Sequence, residues 1–158
     1  KLTASFECIS YETKNIMKKE GELLEQYIFN EAVKSGYFDD VAGGFEFVYE
    51  LNHSKEQVKN EVDCILTKGC KTLVVEAKAR IDIDQNVIHK LCNVADNIGV
   101  NSKKILVITN HGKLGNDLQF ARGDRDEVII IEGKENISNI GRIFQEIAEG
   151  TYIPKEYI

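Results

Sequence analysis

Two carboxylates and an amine stand where a β-hairpin would gather them: Asp63 and then, after twelve intervening residues, Glu76-Ala77-Lys78. Residues 60–67 and 71–79 read as β-type runs joined by the turn Lys68-Gly69-Cys70, a hairpin signal. With Gly69 and Cys70 at the centre of the turn, Lys68 faces Lys71, Thr67 faces Thr72, Ile65 faces Val74, Asp63 faces Glu76 and Glu61 faces Lys78. Side chains alternate along a strand, so the last four of these pairs share one face, while Val62, Cys64, Leu66, Leu73, Val75, Ala77 and Ala79 make an apolar opposite face. Opposed carboxylates repel and are costly when half-buried, unless something positive lies between them. A hard divalent cation, Mg²⁺ or Mn²⁺, suits that place, because it takes oxygen ligands and leaves room for a phosphate. Lys78 beside it would polarise an attacking water and balance charge on phosphorus, so the chemistry this set can do is phosphodiester hydrolysis. The same residues also fit a solvated face on which Lys78 pairs with Glu61, and a one-residue slip in register would put Asp63 on the other side.

Those strands need flanking elements to hold them. Residues 15–35 read as a helix with Leu24, Tyr27, Ile28 and Ala32 on one face, ended by Gly36, and residues 44–51 as a first strand. Residues 84–98 place Ile88, Leu91, Cys92, Ala95 and Ile98 at helical period, with Asp84 as the cap. The apolar run Lys104–Thr109 suits a buried, parallel strand. A polar stretch, 111–126, precedes a strand at Val128–Ile131 and a closing helix over 136–149. The expected fold is therefore α/β: an αβββαβ core with a mixed central sheet flanked by helices, plus an extra C-terminal strand and helix.

At 158 residues the chain suits a single domain, with a core over about 15–110 and an extension over about 111–158. The apolar fraction of 42% and charged fraction of 29% are those of a globular protein, and no apolar run is long enough to span a bilayer. Cys8, Cys64, Cys70 and Cys92 have neither CxxC nor zinc spacing, which predicts a reduced, cytoplasmic protein. A net charge of −6 argues against coating nucleic acid by bulk electrostatics, but not against a local site that bridges carboxylates to phosphate through cations.

The spacing Asp63…Glu76-Ala77-Lys78, at the end of an apolar strand and within the element order above, resembles the D…ExK signature of the PD-(D/E)xK nuclease superfamily, whose core is restriction-endonuclease-like. More narrowly, Gly21-Glu22-Leu23-Leu24-Glu25-Gln26-Tyr27-Ile28 followed by Asn60-Glu61-Val62-Asp63 is similar to the nuclease half of CRISPR-associated effectors that carry a cyclic-oligonucleotide (CARF) sensor. The resemblance covers roughly 21–109. It implies a Mg²⁺- or Mn²⁺-dependent endonuclease with metal on Asp63, Glu76, Glu25 and the carbonyl of Ala77, and with Lys78 on the nucleophile. It also implies relaxed specificity, single-stranded DNA or RNA, a homodimer, and an N-terminal sensor in a longer chain. Glu22, one turn before Glu25, competes for its role, and an ordinary solvated helix charge is open for both.

Related nucleases similar to RecB carry QxxxY on the helix after ExK. Here the helix has Gln85 and, in place of tyrosine, His89, which share one side by their spacing. Lys14, Lys18, Lys19, Lys103 and Lys104 are candidates for phosphate contacts on the rim, each also readable as a solvated charge; His53 and His111 lie in polar connections. Against the hydrolase stands a module of the same fold that binds nucleic acid or assembles without cutting.

Overall fold

The computed structural model describes residues 10–11, 21–50, 57–79, 85–99, 101–109 and 128–153. The elements in chain order are α1 (Glu22–Lys34), β1 (Asp40–Glu50), β2 (Gln57–Lys68), β3 (Lys71–Lys78), α2 (Gln85–Ile98), β4 (Ser102–Ile108), β5 (Val128–Glu132), α3 (Gly133–Ser138) and α4 (Ile140–Glu149). The five strands form one sheet in sequential order. β2 runs antiparallel to both β1 and β3, whereas β3, β4 and β5 run parallel. This is the mixed α/β sheet expected from the sequence.

Helices cover both faces. Leu24, Ile28 and Ala32 of α1 and Ile140, Ile143, Phe144 and Ile147 of α4 bury against Cys64, Leu66, Leu73, Val75 and Ala77. Ile88, Leu91, Cys92, Val94 and Ala95 of α2 bury against Val62, Val74, Leu106 and Ile108. β3 is thus central and buried from Leu73 through Ala77 without alternation, as strands covered on both sides are. The face that bears Glu76 is not a solvated one: its Val74 and Ile65 pack under α2.

The hairpin register is the expected one, running from Lys68 opposite Lys71 to Cys64 opposite Val75. Gly69 takes φ 58°, the left-handed value that glycine adopts without cost. Asp39 holds the turn from outside, accepting from Lys68 Nζ at 2.8 Å and from the Gly69 N–H at 2.7 Å. Those contacts hold the Asp39 carboxyl below the ordinary aspartate value.

The closing helix differs from expectation. It begins at Gly133 and breaks at Asn139, where φ −111° and ψ 18° leave the helical region and separate α3 from α4. Asn139 Nδ2 donates to the Glu135 carbonyl across the break. The helix start at 15 and the Asp84 cap lie outside the described residues, as does the polar stretch 111–126.

α1 and α4 approach closely at Gly141. A Cβ added there would lie 2.8 Å from the Glu31 backbone oxygen, a contact that only a backbone shift relieves. Gly141→Ala is therefore expected to lower unfolding free energy by about 1–3 kcal/mol, the usual range for overpacking. Urea denaturation with an unchanged slope and a lower midpoint would show it, and an unchanged midpoint would refute it.

Candidate active site

The site forms where the sheet splits. β1 stays paired with β2 out to Glu50 opposite Gln57, but the β2–β3 pairing stops at Cys64 and Val75. At that point the alternation of both β1 and β2 inverts. Val41 packs on the α1 side and Phe47 on the α2 side; likewise Cys64 packs on the α1 side and Val62 on the α2 side. Strict period two would have kept each pair together. Gly44, at φ 59° and missing from the ladder between Gly43 and Phe45, marks the inversion in β1. Val62 therefore does not belong to the apolar face on which period two placed it.

Asp63 sits at the split. Its Oδ2 accepts from the Ala77 N–H at 2.6 Å, so the side chain fills the place a β2 carbonyl would have taken in a continued ladder. Glu76 is 2% exposed. Its Oε1 lies 2.6 Å from Lys78 Nζ and 3.7 Å from Lys90 Nζ, while Oε2 is buried without a hydrogen-bond donor. Lys78 Nζ is also 3.9 Å from Asp63 Oδ2. Lys78 therefore bridges the two carboxylates. The pairing of Lys78 with Glu61 across the strands does not occur, since the β2–β3 ladder ends short of Glu61 and Glu61 faces Glu46 of β1.

Electrostatics follow from this crowding. Burial, then the charge of Glu76, pushes Asp63 up to about 7, against the opposing Ala77 N–H and Lys78. Burial works against the Lys78 ammonium, but the hydrogen bond to Glu76 and the charges of Glu76, Asp63 and Glu25 outweigh it and raise its pKa. Glu25 is raised by burial, opposed by Lys78 and reinforced by Glu22, Glu61 and Glu76. Glu25 thus feels the hairpin charges from α1. Glu25, Glu22 and Asp63, with Gln26, Phe29, Gly43 and Gly44, line a cleft of about 370 Å³.

Asp63, Glu76, Lys78 and Glu25 are accordingly brought to one end of the sheet, with Glu22 beside them. Gln85 and His89 are exposed on α2. The α2 residue that reaches Glu76 is Lys90, which sequence reasoning passed over; its position three after Val87 and four before Val94, on the border of the buried face, was the available signal. Lys103 and Lys104 are not on this rim. They lie beside Leu73 and Val74 at the other end of β3, and Lys104 pairs with Asp96 at 3.0 Å. Lys14, Lys18, Lys19, His53 and His111 lie outside the described residues.

A cation fits the donor set: two opposed carboxylates, one raised toward neutrality by burial and then by the other, and a buried Glu76 oxygen that no donor satisfies. Among the described residues, however, no three Asp, Glu, His or Cys side chains already converge at ligand spacing.

Residues 20–131 match the family model described as "Domain of unknown function (DUF4143)". The chain belongs to that family. No curated protein matches the DUF4143 chain. Among solved structures it is similar to protein VC1899 from Vibrio cholerae, with TM-score 0.70 and 16% identity over 90% of this chain and 37% of that one. It is also similar to Can2 from Sulfobacillus thermosulfidooxidans, solved in complex with cyclic tetra-adenylate: TM-score 0.59, 16% identity, 84% of this chain and 37% of that one. A third is the small subunit, R.BspD6I2, of the heterodimeric restriction endonuclease R.BspD6I, with TM-score 0.52 and 12% identity over 87% and 76% of the two chains. The DUF4143 chain thus spans just over a third of the first two structures. At such identities the likeness is one of fold, and that fold is restriction-endonuclease-like.

Proposed function

We propose that this chain is a metal-dependent endonuclease unit of the PD-(D/E)xK type that hydrolyses phosphodiester bonds of nucleic acid, single-stranded DNA or RNA, with little sequence preference. The observation that carries the proposal is the buried Glu76 carboxylate, held against Asp63 with Lys78 between them and one oxygen unsatisfied. A buried structural carboxylate has both oxygens satisfied, and a fold gains nothing from opposing two carboxylates at a strand split. The likeness in fold to a restriction endonuclease subunit supports the same reading.

Asp63, Glu76, Glu25 and the Ala77 carbonyl are the residues that would hold Mg²⁺ or Mn²⁺. Bound there, the cation supplies a Lewis acid that polarises the phosphate and acidifies water. The chain's own residues do the rest. The Ala77 N–H fixes the Asp63 carboxylate in orientation. Lys78, kept protonated by its carboxylate neighbours, donates to the incoming oxygen or to the developing charge on phosphorus. The cleft between α1 and β1 gives a strand access to Asp63 and Glu25. Can2 binds cyclic tetra-adenylate; the proposal extends to a homodimer in the cytoplasm, joined to a cyclic-oligonucleotide sensor and serving antiviral defence.

The test is cleavage of single- and double-stranded DNA and RNA by the purified chain with Mn²⁺, Mg²⁺ or EDTA. Metal-dependent cutting of at least one single-stranded substrate is expected, and no cutting of any of them counts against the proposal. The absence of three preassembled ligands favours a second reading, a binding module that does not cut. Mn²⁺ discriminates: ions bound only by the folded state at a hundred times their Kd add about 2.7 kcal/mol. A midpoint that rises with Mn²⁺ supports the hydrolase, and one that ignores it supports the module.

A further inference from the structure

We infer that Lys90 is a substrate-binding residue whose ammonium holds a phosphate of the nucleic-acid strand beside Glu76. The inference rests on the hydrolase reading above and names a contact that the D…ExK set does not contain. Lys90 belongs to α2, which covers the face of the sheet that bears Val74 and Glu76. Its Nζ lies 3.7 Å from Glu76 Oε1, the oxygen that already takes Lys78 at 2.6 Å. One carboxylate oxygen does not require two ammoniums for neutralisation.

The two lysines differ in how they are held. Lys78 is enclosed between Glu76 and Asp63 with 20% of its side chain exposed. Lys90 makes the longer contact, and 35% of its side chain is open. A partly exposed ion pair of that length is weak, so Lys90 can exchange Glu76 for a phosphate at little cost. Its stem lies along the border of the buried face of α2 between Val87 and Val94, which leaves the charged head at the rim.

The charge balance calls for such a group. Glu25, Asp63 and Glu76, with Glu22 in the same cleft, outnumber Lys78, in a chain of net charge −6. A polyanion needs a cation that these carboxylates hold only loosely, as Glu76 holds Lys90 at 3.7 Å. Among the other described lysines, Lys34 pairs with Glu31, Lys59 with Glu46, Lys68 with Asp39 and Lys104 with Asp96, while Lys71 donates to the Ala148 carbonyl. Lys103 stands at the opposite end of β4.

The test separates binding from cutting. On a Lys78→Ala background with Mn²⁺, fluorescence anisotropy reads the Kd of labelled single-stranded DNA and RNA across a salt series. Adding Lys90→Met, which keeps the stem, is expected to weaken Kd about tenfold and to reduce the salt slope by about 0.7, one phosphate contact on a single strand. Lys90→Arg should restore both. In the otherwise native chain Lys90→Met should raise KM about tenfold and leave kcat within about threefold. Unchanged Kd and slope overturn the inference, as does a loss in kcat at constant KM or the absence of any measurable binding. If binding depends on Lys90 but the native chain cuts nothing, hydrolysis fails and the phosphate contact stands.

Discussion

Glu76→Gln is expected to reduce Mn²⁺-dependent cleavage roughly 10³-fold or more while the chain stays folded. The size follows from what the residue does. Glu76 is the most deeply buried charge of the site and faces both Lys78 and Lys90. An amide of the same shape keeps the packing of β3 but carries no charge, so a divalent cation loses an anionic ligand and Lys78 loses the partner that fixes its ammonium. Glu76→Ala is a poorer test, since it also opens a cavity in a central strand, at a cost of several kcal/mol by itself. Circular dichroism of Glu76→Gln should stay native, with a single cooperative unfolding transition. Cutting within about tenfold of native by a folded Glu76→Gln chain would remove Glu76 from the mechanism and, with it, the hydrolase assigned here.

The hairpin was legible in the sequence because its signals are local. A glycine in the turn sets the register, and the register aligns the strands whatever covers them. Glu25 entered through family resemblance alone, with Glu22 competing one turn earlier; the structure sets both in the cleft beside Asp63. The inversion at Gly44 and Asp63 was not legible, because alternation presumes a regular ladder and this ladder is broken by a left-handed glycine on one strand and a side-chain acceptor on the other. That break lets Asp63 meet both Glu25 from α1 and Glu76 from the face beneath α2. Lys90 was missed for a related reason: its role depends on where α2 crosses the sheet, which helical period does not encode. The break at Asn139 was hidden because Ile137, Ile140, Phe144 and Ile147 keep a continuous helical period across it.

Asp63→Asn should stabilise the metal-free chain at pH 8 while abolishing cleavage. The folded state raises Asp63 from 3.8 to about 7, chiefly through burial and the facing Glu76. An acid whose pKa is raised on folding binds its proton more tightly when folded. Its favourable share of stability is complete below pH 4 and is lost as pH rises through 7. At about 1.4 kcal/mol per pH unit the whole window is worth at most about 4 kcal/mol, and relaxation around the charge will reduce it. Asparagine does not titrate, and its Oδ1 can keep the hydrogen bond from Ala77. The stability gap between Asp63→Asn and native should therefore be small near pH 4, widen to pH 7 and then level off. Mn²⁺ should narrow or close the gap at pH 8, because the ion stabilises the chain with all of its carboxylates more than the one that has lost Asp63. Urea midpoints across pH, with Mn²⁺ and with EDTA, measure all of this. A native chain that matches Asp63→Asn at every pH would mean that Asp63 is not held against Glu76 in solution. A gap that opens with pH but ignores Mn²⁺ would keep the electrostatics and discard the metal. The stability surrendered at this strand split is then what the fold gives up to keep two acids facing each other, and an ion between them is the physical reason to keep them there.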